Sequence, residues 1–128
     1  MSRPPPRVLL IEDDEPLAGM LSAHLEAHHY RVTVAPTAEA AQSALAGGLR
    51  PDVVLLDINL PGETGWSVLR SDALSAAGRP PVVVASAMAV SPARLREYGI
   101  EGFLPKPFAL DTLRSTIERV MRKENGEQ

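Results

Sequence analysis

Four consecutive aliphatic residues, Val53 to Leu56, end abruptly in a carboxylate at Asp57. A strand that is apolar on both faces is typical of a parallel sheet covered by helices on both sides, because each face of such a sheet is buried. Ligands and chemistry collect at the carboxyl ends of the strands in open α/β sheets. Asp57 is therefore a candidate functional residue. The alternative is a turn residue, because aspartate often begins turns.

Short strands and amphipathic helices alternate along the whole chain. Strands are predicted at 8–11, 31–35, 53–56, 82–86 and 102–104, and helices at about 16–28, 38–45, 65–74 and 92–98, with a last helix from Leu110. This alternation predicts βαβ units wound into one parallel sheet with helices on both faces. Right-handed crossovers then bring the first, third and fourth strands together at the middle of the sheet.

The length of 128 residues predicts one domain with a core of its own. We expect this domain to span 7–123, after an extended proline-rich lead at 1–6 and before a polar tail at 124–128. The chain has no cysteine, which excludes thiolate metal sites and thiol nucleophiles. The net charge of -3, spread over interspersed charges, argues against direct nucleic-acid binding. Without a signal peptide or a spanning apolar run, we expect no membrane insertion and a cytoplasmic location.

Polar side chains end or follow four of the five predicted strands: Glu12 and Asp13, then Asp57, Ser86 and Lys106. Each has an ordinary alternative, as a helix cap, a turn residue, a strand-end hydroxyl or a solvated lysine. Together they favour a site, because carboxylates that meet at one edge repel one another unless a cation is present. Oxygen ligands suit Mg²⁺. The predicted chemistry is an aspartyl phosphate on Asp57, with Lys106 and Ser86 binding phosphoryl oxygens.

Four segments resemble the receiver domain of response regulators, in that family's order: VLLIEDDEPLA, PDVVLLDINLPGETG, VVVASA and GFLPKPF. The resemblance covers about Arg7 to Arg122. It implies a flavodoxin-like (βα)5 fold with a doubly wound parallel sheet of five strands in the order 2-1-3-4-5. It also implies a signalling switch of a two-component or phosphorelay system. Such a switch is no enzyme beyond self-catalysed phosphoryl uptake and autodephosphorylation.

By this resemblance, Asp57 takes a phosphoryl group from a sensor histidine kinase or a histidine phosphotransfer protein. Mg²⁺ is then held by Glu12, Asp13, Asp57 and the backbone carbonyl of Asn59. We expect a stand-alone response regulator. The alternatives are a receiver excised from a larger transcriptional regulator or hybrid kinase and, from a different class, an aspartyl-nucleophile phosphatase.

The resemblance further implies that Ser86 and Phe103 form the switch and that Lys106 and Pro107 are joined by a cis peptide bond. Ser86 would move toward the phosphoryl group, and Phe103 would rotate inward. The output partner is an unidentified downstream protein, and homodimer formation stays open. Phe103 stands where the family more often has tyrosine, so that only packing is available to report the state. A buried aromatic residue that does not move is the alternative.

Three other features depart from the family or stand apart from its motifs. The segment between Ser86 and Lys106 is slightly shorter than usual in the family, which puts the usual dimer mode in doubt. Ala109 replaces the polar cap that often precedes the last helix. Trp66, the chain's only tryptophan, follows the turn after Asp57. It is expected either to pack partly buried or to contact a partner.

Overall fold

The five strands and their helices follow one another in the predicted alternation. A computed structural model describes residues 4–60 and 64–124. Its strands are β1 (Arg7–Ile11), β2 (Arg31–Ala35), β3 (Val53–Asp57), β4 (Val82–Ser86) and β5 (Gly102–Pro105). Its helices are α1 (Glu15–Ala27), α2 (Ala38–Ala46), α3 (Gly65–Leu69), α4 (Asp72–Ala76), α5 (Pro92–Glu97) and α6 (Leu110–Glu124). The turn predicted at Pro61 and Gly62, the start of the lead at 1–3 and the tail at 125–128 lie outside the described residues.

All strand pairs are parallel, and the strand order is β2-β1-β3-β4-β5. The predicted order is thereby confirmed. The register pairs Ile11 with Leu56 and Asp57 with Ala85, so that the carboxyl ends of β1, β3 and β4 are level. Residues that follow these strands are consequently neighbours at one edge of the sheet.

Alternate residues of the strands point to opposite faces, and each face carries its own apolar core. On one face, Leu9, Val54, Leu56, Val82 and Val84 pack with residues of α2, α3 and α4. On the other, Val8, Leu10, Val53, Leu55 and Val83 pack with residues of α1 and α6. β3 and β4 are buried on both faces along their whole length, as the run from Val53 to Leu56 predicts, whereas β2 is largely exposed.

The single helix predicted for 65–74 is wrong, since two short helices, α3 and α4, take its place. The Ser71 hydroxyl donates to the Val68 carbonyl at 2.7 Å and accepts from the Leu74 amide at 3.3 Å. A serine side chain can replace backbone hydrogen bonds in this way. Ser71 thus ends the first helical segment and caps the second.

Two parts of the described chain are only loosely tied to the cores. Helix α5 has no buried residue. Residues Pro4 to Pro6 form neither helix nor strand, while α6 continues through Glu124, the first residue of the predicted tail. Among the residues that the structure describes, no helix combines the length and the apolar character needed to cross a bilayer.

Candidate functional site

Three carboxylates meet at the carboxyl edge of the sheet. One oxygen from each of Glu12, Asp13 and Asp57 lies within 4.8 Å of the others. Glu12 and Asp57 are 4% and 6% exposed, whereas Asp13 is exposed. The register of β1 and β3 explains the meeting, because Glu12 follows the residue that pairs with Leu56. An all-oxygen donor set of this kind fits a hard divalent cation such as Mg²⁺.

The neighbouring acid, Asp14, has a different role. Its Oδ1 accepts a hydrogen bond from the Leu17 amide at 3.0 Å, which makes it the N-cap of α1. An N-cap aspartate satisfies an amide that the helix leaves unpaired and interacts favourably with the positive end of the helix dipole. The acidic run 12–14 therefore divides into two residues at the cluster and one helix cap.

Lys106 supplies the positive charge of the site. Its Nζ donates to Glu12 Oε1 at 2.8 Å and lies 3.4 Å from Asp57 Oδ2. The backbone places it there, because the Lys106 amide donates to the Ser86 carbonyl at 2.8 Å, just beyond the end of β5. The peptide bond between Lys106 and Pro107 is cis. Lys106 thus stands between two of the three carboxylates.

Both partners of the ion pair between Lys106 and Glu12 have a raised pKa. Burial raises the pKa of Glu12, the hydrogen bond from Lys106 lowers it, and the charge of Asp57 raises it again, with a net upward shift. For Lys106, burial lowers the pKa of the ammonium, but Glu12 and Asp57 outweigh burial and raise it overall. At Glu12, burial and repulsion by Asp57 therefore raise the pKa by more than the ion pair with Lys106 lowers it. An added cation would stabilise the charged carboxylates.

Asn59 connects the acidic cluster to the hydroxyl at the end of β4. Its backbone amide donates to Asp57 Oδ1 at 3.0 Å, and its side-chain amide donates to Ser86 Oγ at 3.3 Å. The Met88 amide donates to the same hydroxyl oxygen at 3.0 Å. Ser86 is 1% exposed. Its oxygen accepts from both sides, which leaves its own proton available for donation.

Phe103 is half-buried on β5 and packs against the core on the α2, α3 and α4 face. It pairs in register with Val84, two residues before Ser86. Because side chains alternate along a strand, Ser86 and Phe103 belong to the same face of the sheet. The structure thus brings the two predicted switch residues to neighbouring positions on one face.

Two features of the site were not predicted from the sequence. One is the side-chain hydrogen bond from Asn59 to Ser86, which joins residues 27 positions apart. The other is the close packing of Gly65, where an added Cβ would lie 2.9 Å from the Asp57 carbonyl oxygen and 2.9 Å from Ile58 Cα. A glycine soon after a predicted phosphoacceptor is the only sequence signal for this contact.

Comparison with known proteins agrees with the geometry. The family described as response regulator receiver domain matches residues 8–118. The transcriptional activator protein PfeR of Pseudomonas aeruginosa is 38% identical over 125 residues, which cover 96% of this chain and 40% of that protein. The uncharacterized transcriptional regulatory protein YvcP of Bacillus subtilis is 33% identical over 94% of this chain and 51% of that protein.

The solved N-terminal domain of a response regulator/sensory box/GGDEF 3-domain protein from Carboxydothermus hydrogenoformans superimposes with a TM-score of 0.83 at 27% identity. That superposition covers 94% of this chain and 97% of the solved domain. The chain spans about half or less of the length of the two curated relatives. Because the family match runs through nearly all of the sheet and its helices, the chain belongs to the response regulator receiver domains of two-component signalling.

Proposed function

We propose that Asp57 is the phosphoacceptor of this receiver domain and that its donor is a phosphohistidine of a sensor histidine kinase or of a histidine phosphotransfer protein. The observation that carries the proposal is the position of the Asp57 carboxylate, which is buried between the Glu12 and Asp13 carboxylates and the Lys106 ammonium. Buried acids so placed are rare outside functional sites.

The transfer needs only a nucleophile and charge stabilisation. A carboxylate oxygen of Asp57 attacks phosphorus, the phosphorus–nitrogen bond breaks, and the imidazole nitrogen of the donor keeps the electron pair and takes up a proton. Lys106, 3.4 Å from Asp57 Oδ2, stabilises negative charge on the phosphoryl oxygens. Water later attacks the same phosphorus, which releases inorganic phosphate and restores the carboxylate.

Glu12, Asp13, Asp57 and the backbone carbonyl of Asn59 are the proposed Mg²⁺ ligands. Bound Mg²⁺ would neutralise charge on the transferred phosphoryl group. The fit rests on the all-oxygen cluster and on the raised pKa of Glu12, where burial and the Asp57 charge outweigh the hydrogen bond from Lys106. Both features favour the binding of a cation at this edge of the sheet.

Ser86 and Phe103 are the proposed switch. The Ser86 oxygen is held by amides of Asn59 and Met88, so that its proton can be donated to a phosphoryl oxygen. Movement of Ser86 toward that group frees space on the face that Phe103 shares. Phe103 is half-buried and has no hydroxyl, and therefore it reports the state through packing alone.

The test is phosphorylation by a small donor. The protein is incubated with Mg²⁺ and acetyl phosphate, and intact mass spectrometry follows the gain of one phosphoryl group. The wild-type protein is expected to gain the mass of one phosphoryl group, and Asp57→Asn is expected to show no gain. Asp52→Asn is the matched control, because Asp52 precedes the same strand at its opposite end and binds the Arg7 amide at 2.7 Å. Equal labelling of wild type and Asp57→Asn would refute the assignment.

A stand-alone regulator and a receiver within a larger regulator remain two candidate forms of this function. The second is favoured by the two curated relatives, of which the chain spans 40% and 51%. An antibody raised against the chain distinguishes them on a blot of the source cells. A band at the mass of 128 residues supports the first form, and a band of about two to two and a half times that mass supports the second.

The aspartyl phosphatase alternative resembles enzymes that have a second acid two positions after the nucleophile, where it can protonate a leaving group. Asn59, two positions after Asp57, is an amide whose side chain donates to Ser86. An amide has no such proton to transfer, which disfavours the alternative. Turnover of a phosphomonoester by the wild type, lost in Asp57→Asn, would reinstate it.

A further inference from the structure

Three arginines from different parts of the chain converge on Tyr98, directly after α5. Arg70 Nη1 donates to the Tyr98 hydroxyl oxygen at 2.9 Å. The Arg94 guanidinium lies over the Tyr98 ring, 5.7 Å from its centroid. Arg79 donates to the backbone carbonyl oxygens of Tyr98 and Gly99. Three positive charges are thereby gathered around Tyr98.

Trp66 completes the cluster. Its ring lies 4.8 Å from that of Tyr98, at an interplanar angle of 34°, and the Arg94 guanidinium sits 4.5 Å from its centroid. Guanidinium groups stack well on indole faces, because the ring face is electron-rich and the guanidinium is weakly hydrated. Arg94 is therefore held in place by its planar face, and within residues 4–60 and 64–124 its guanidinium makes no ion pair.

The arginines of this cluster lack a carboxylate partner within the part of the chain that the structure describes. In the ion pairs found there, the positively charged partner is either Lys106 or Arg114. Converging cations without a counter-charge repel one another, whereas a bound anion would relieve that repulsion. Carboxylate is the natural anion, because an arginine fork matches its two oxygens.

The cluster is accessible and has the composition of an interaction surface. Arg70 and Arg94 are exposed, and Trp66 and Tyr98 are half-buried. Helix α5, which carries Arg94, has no buried residue. Tryptophan, tyrosine and arginine are the residue types that dominate binding energy at protein interfaces. Arginines that are already ordered also lose less conformational entropy on binding.

We propose that Trp66, Arg70, Arg94 and Tyr98 form a docking surface for an acidic segment of a partner protein. The carboxylates of that segment pair with the open edges of Arg70 and Arg94, and its apolar groups contact the rings. Arg79 has a structural part, since it holds the backbone at Tyr98 and Gly99. This surface contains neither Asp57 nor Lys106, and its binding is therefore tested on the unphosphorylated protein.

The test uses a synthetic peptide rich in aspartate and glutamate, and the same peptide with every acid replaced by its amide. Binding is measured without Mg²⁺ or phosphodonor, by anisotropy of the labelled peptide and by emission of the unlabelled complex. Trp66 is the chain's only tryptophan, so that a change in emission locates the peptide at this surface. The acidic peptide is expected to bind and to change the emission, and the amide peptide to do neither.

Arg70→Gln and Arg94→Gln are each expected to weaken the acidic peptide about tenfold, the size of one lost charged hydrogen-bonding pair. Arg119→Gln, at an exposed position of α6, is the control and should change the affinity by less than about twofold. The proposal is overturned by any of three results. These are no binding of the acidic peptide, equal binding of the amide peptide, and an equal loss in Arg119→Gln.

Discussion

The Lys106 ammonium donates to the Glu12 carboxylate at 2.8 Å, although 94 positions separate the two residues. The contact joins the end of β5 to the end of β1 across the carboxyl edge of the sheet. Lys106 also lies 3.4 Å from Asp57, which makes it part of the acidic cluster before any phosphoryl group arrives. We therefore expect its charge to influence the proposed cation binding as well as the proposed phosphoryl transfer.

Replacement of Lys106 by methionine should change these two activities in opposite directions. The three carboxylates lose their only bound ammonium among the described residues, and Mg²⁺ affinity should rise about threefold to tenfold. Phosphoryl uptake from acetyl phosphate should fall, because charge on the phosphoryl oxygens is less stabilised. Calorimetric titration and intact mass measure the two effects. Arg119→Met is the control, and an unchanged or weaker Mg²⁺ affinity in Lys106→Met would contradict the assignment.

Asp13 and Asp14 should separate metal binding from stability. Asp13→Ala removes a carboxylate of the cluster and should weaken Mg²⁺ binding by about tenfold or more. Asp14→Ala removes the N-cap of α1 and should lower the free energy of unfolding by about 1 kcal/mol with little effect on Mg²⁺ affinity. Calorimetric titration and urea denaturation measure the two quantities. Similar losses of Mg²⁺ affinity in both variants would show that the acidic run has been divided wrongly.

Gly65 should not tolerate a side chain. In Gly65→Ala the new Cβ would meet the Asp57 carbonyl oxygen and Ile58 Cα at 2.9 Å, and these backbone atoms cannot move aside cheaply. We expect a loss of about 1–3 kcal/mol in the free energy of unfolding. Gly19→Ala is the matched control, because nothing lies within 4 Å of a Cβ there and the position is inside α1. It should stabilise the protein by about 0.5–1 kcal/mol. Equal effects in urea denaturation would exclude the close packing of Gly65.

The Asn59 side chain and Ser86 should be energetically coupled. A double-mutant cycle of Asn59→Ala and Ser86→Ala, followed by urea denaturation, should give a coupling of about 0.5–1.5 kcal/mol for their hydrogen bond. Ser115 on α6 donates to the Thr112 carbonyl and shares no partner with Asn59, so that Asn59→Ala and Ser115→Ala should be additive within about 0.5 kcal/mol. Additivity of the Asn59 and Ser86 changes would mean that the hydrogen bond contributes nothing.

Tyr30 should make the protein less stable at alkaline pH. Burial, followed by the charge of Glu118, raises the pKa of the Tyr30 phenol above its ordinary value of 10.0. The unfolded chain then loses this proton first, and stability that is fully present below about pH 10 declines as the pH rises through the folded pKa. Tyr30→Phe should flatten the decline between about pH 9 and 11. Urea denaturation at several pH values measures the free energy of unfolding. If it falls with pH at the same slope in wild type and in Tyr30→Phe, this contribution of Tyr30 is excluded.

The sequence by itself determined the strands, their order along the chain and the polar residues that follow them. These features can be predicted from short stretches of sequence, because an apolar run such as 53–56 is typical of a strand that is buried on both faces. The acidic residues Glu12, Asp13 and Asp57 could therefore be placed at one edge before any contact was known. The sequence also indicates that Asp14 caps α1, since an acid directly before a helix is a common N-cap.

Only the tertiary structure decided which side chains touch one another. The helix predicted for 65–74 breaks because Ser71 bonds to Val68 and Leu74, and helical periodicity does not show that competition. The pairing of Lys106 with Glu12, the bond from Asn59 to Ser86 and the stack of Trp66 with Arg94 and Tyr98 join residues far apart in the chain. Such contacts depend on how the crossover connections place the elements and on which side-chain rotamers the packing allows. The hydrophobic periodicity of a single segment predicts neither of these.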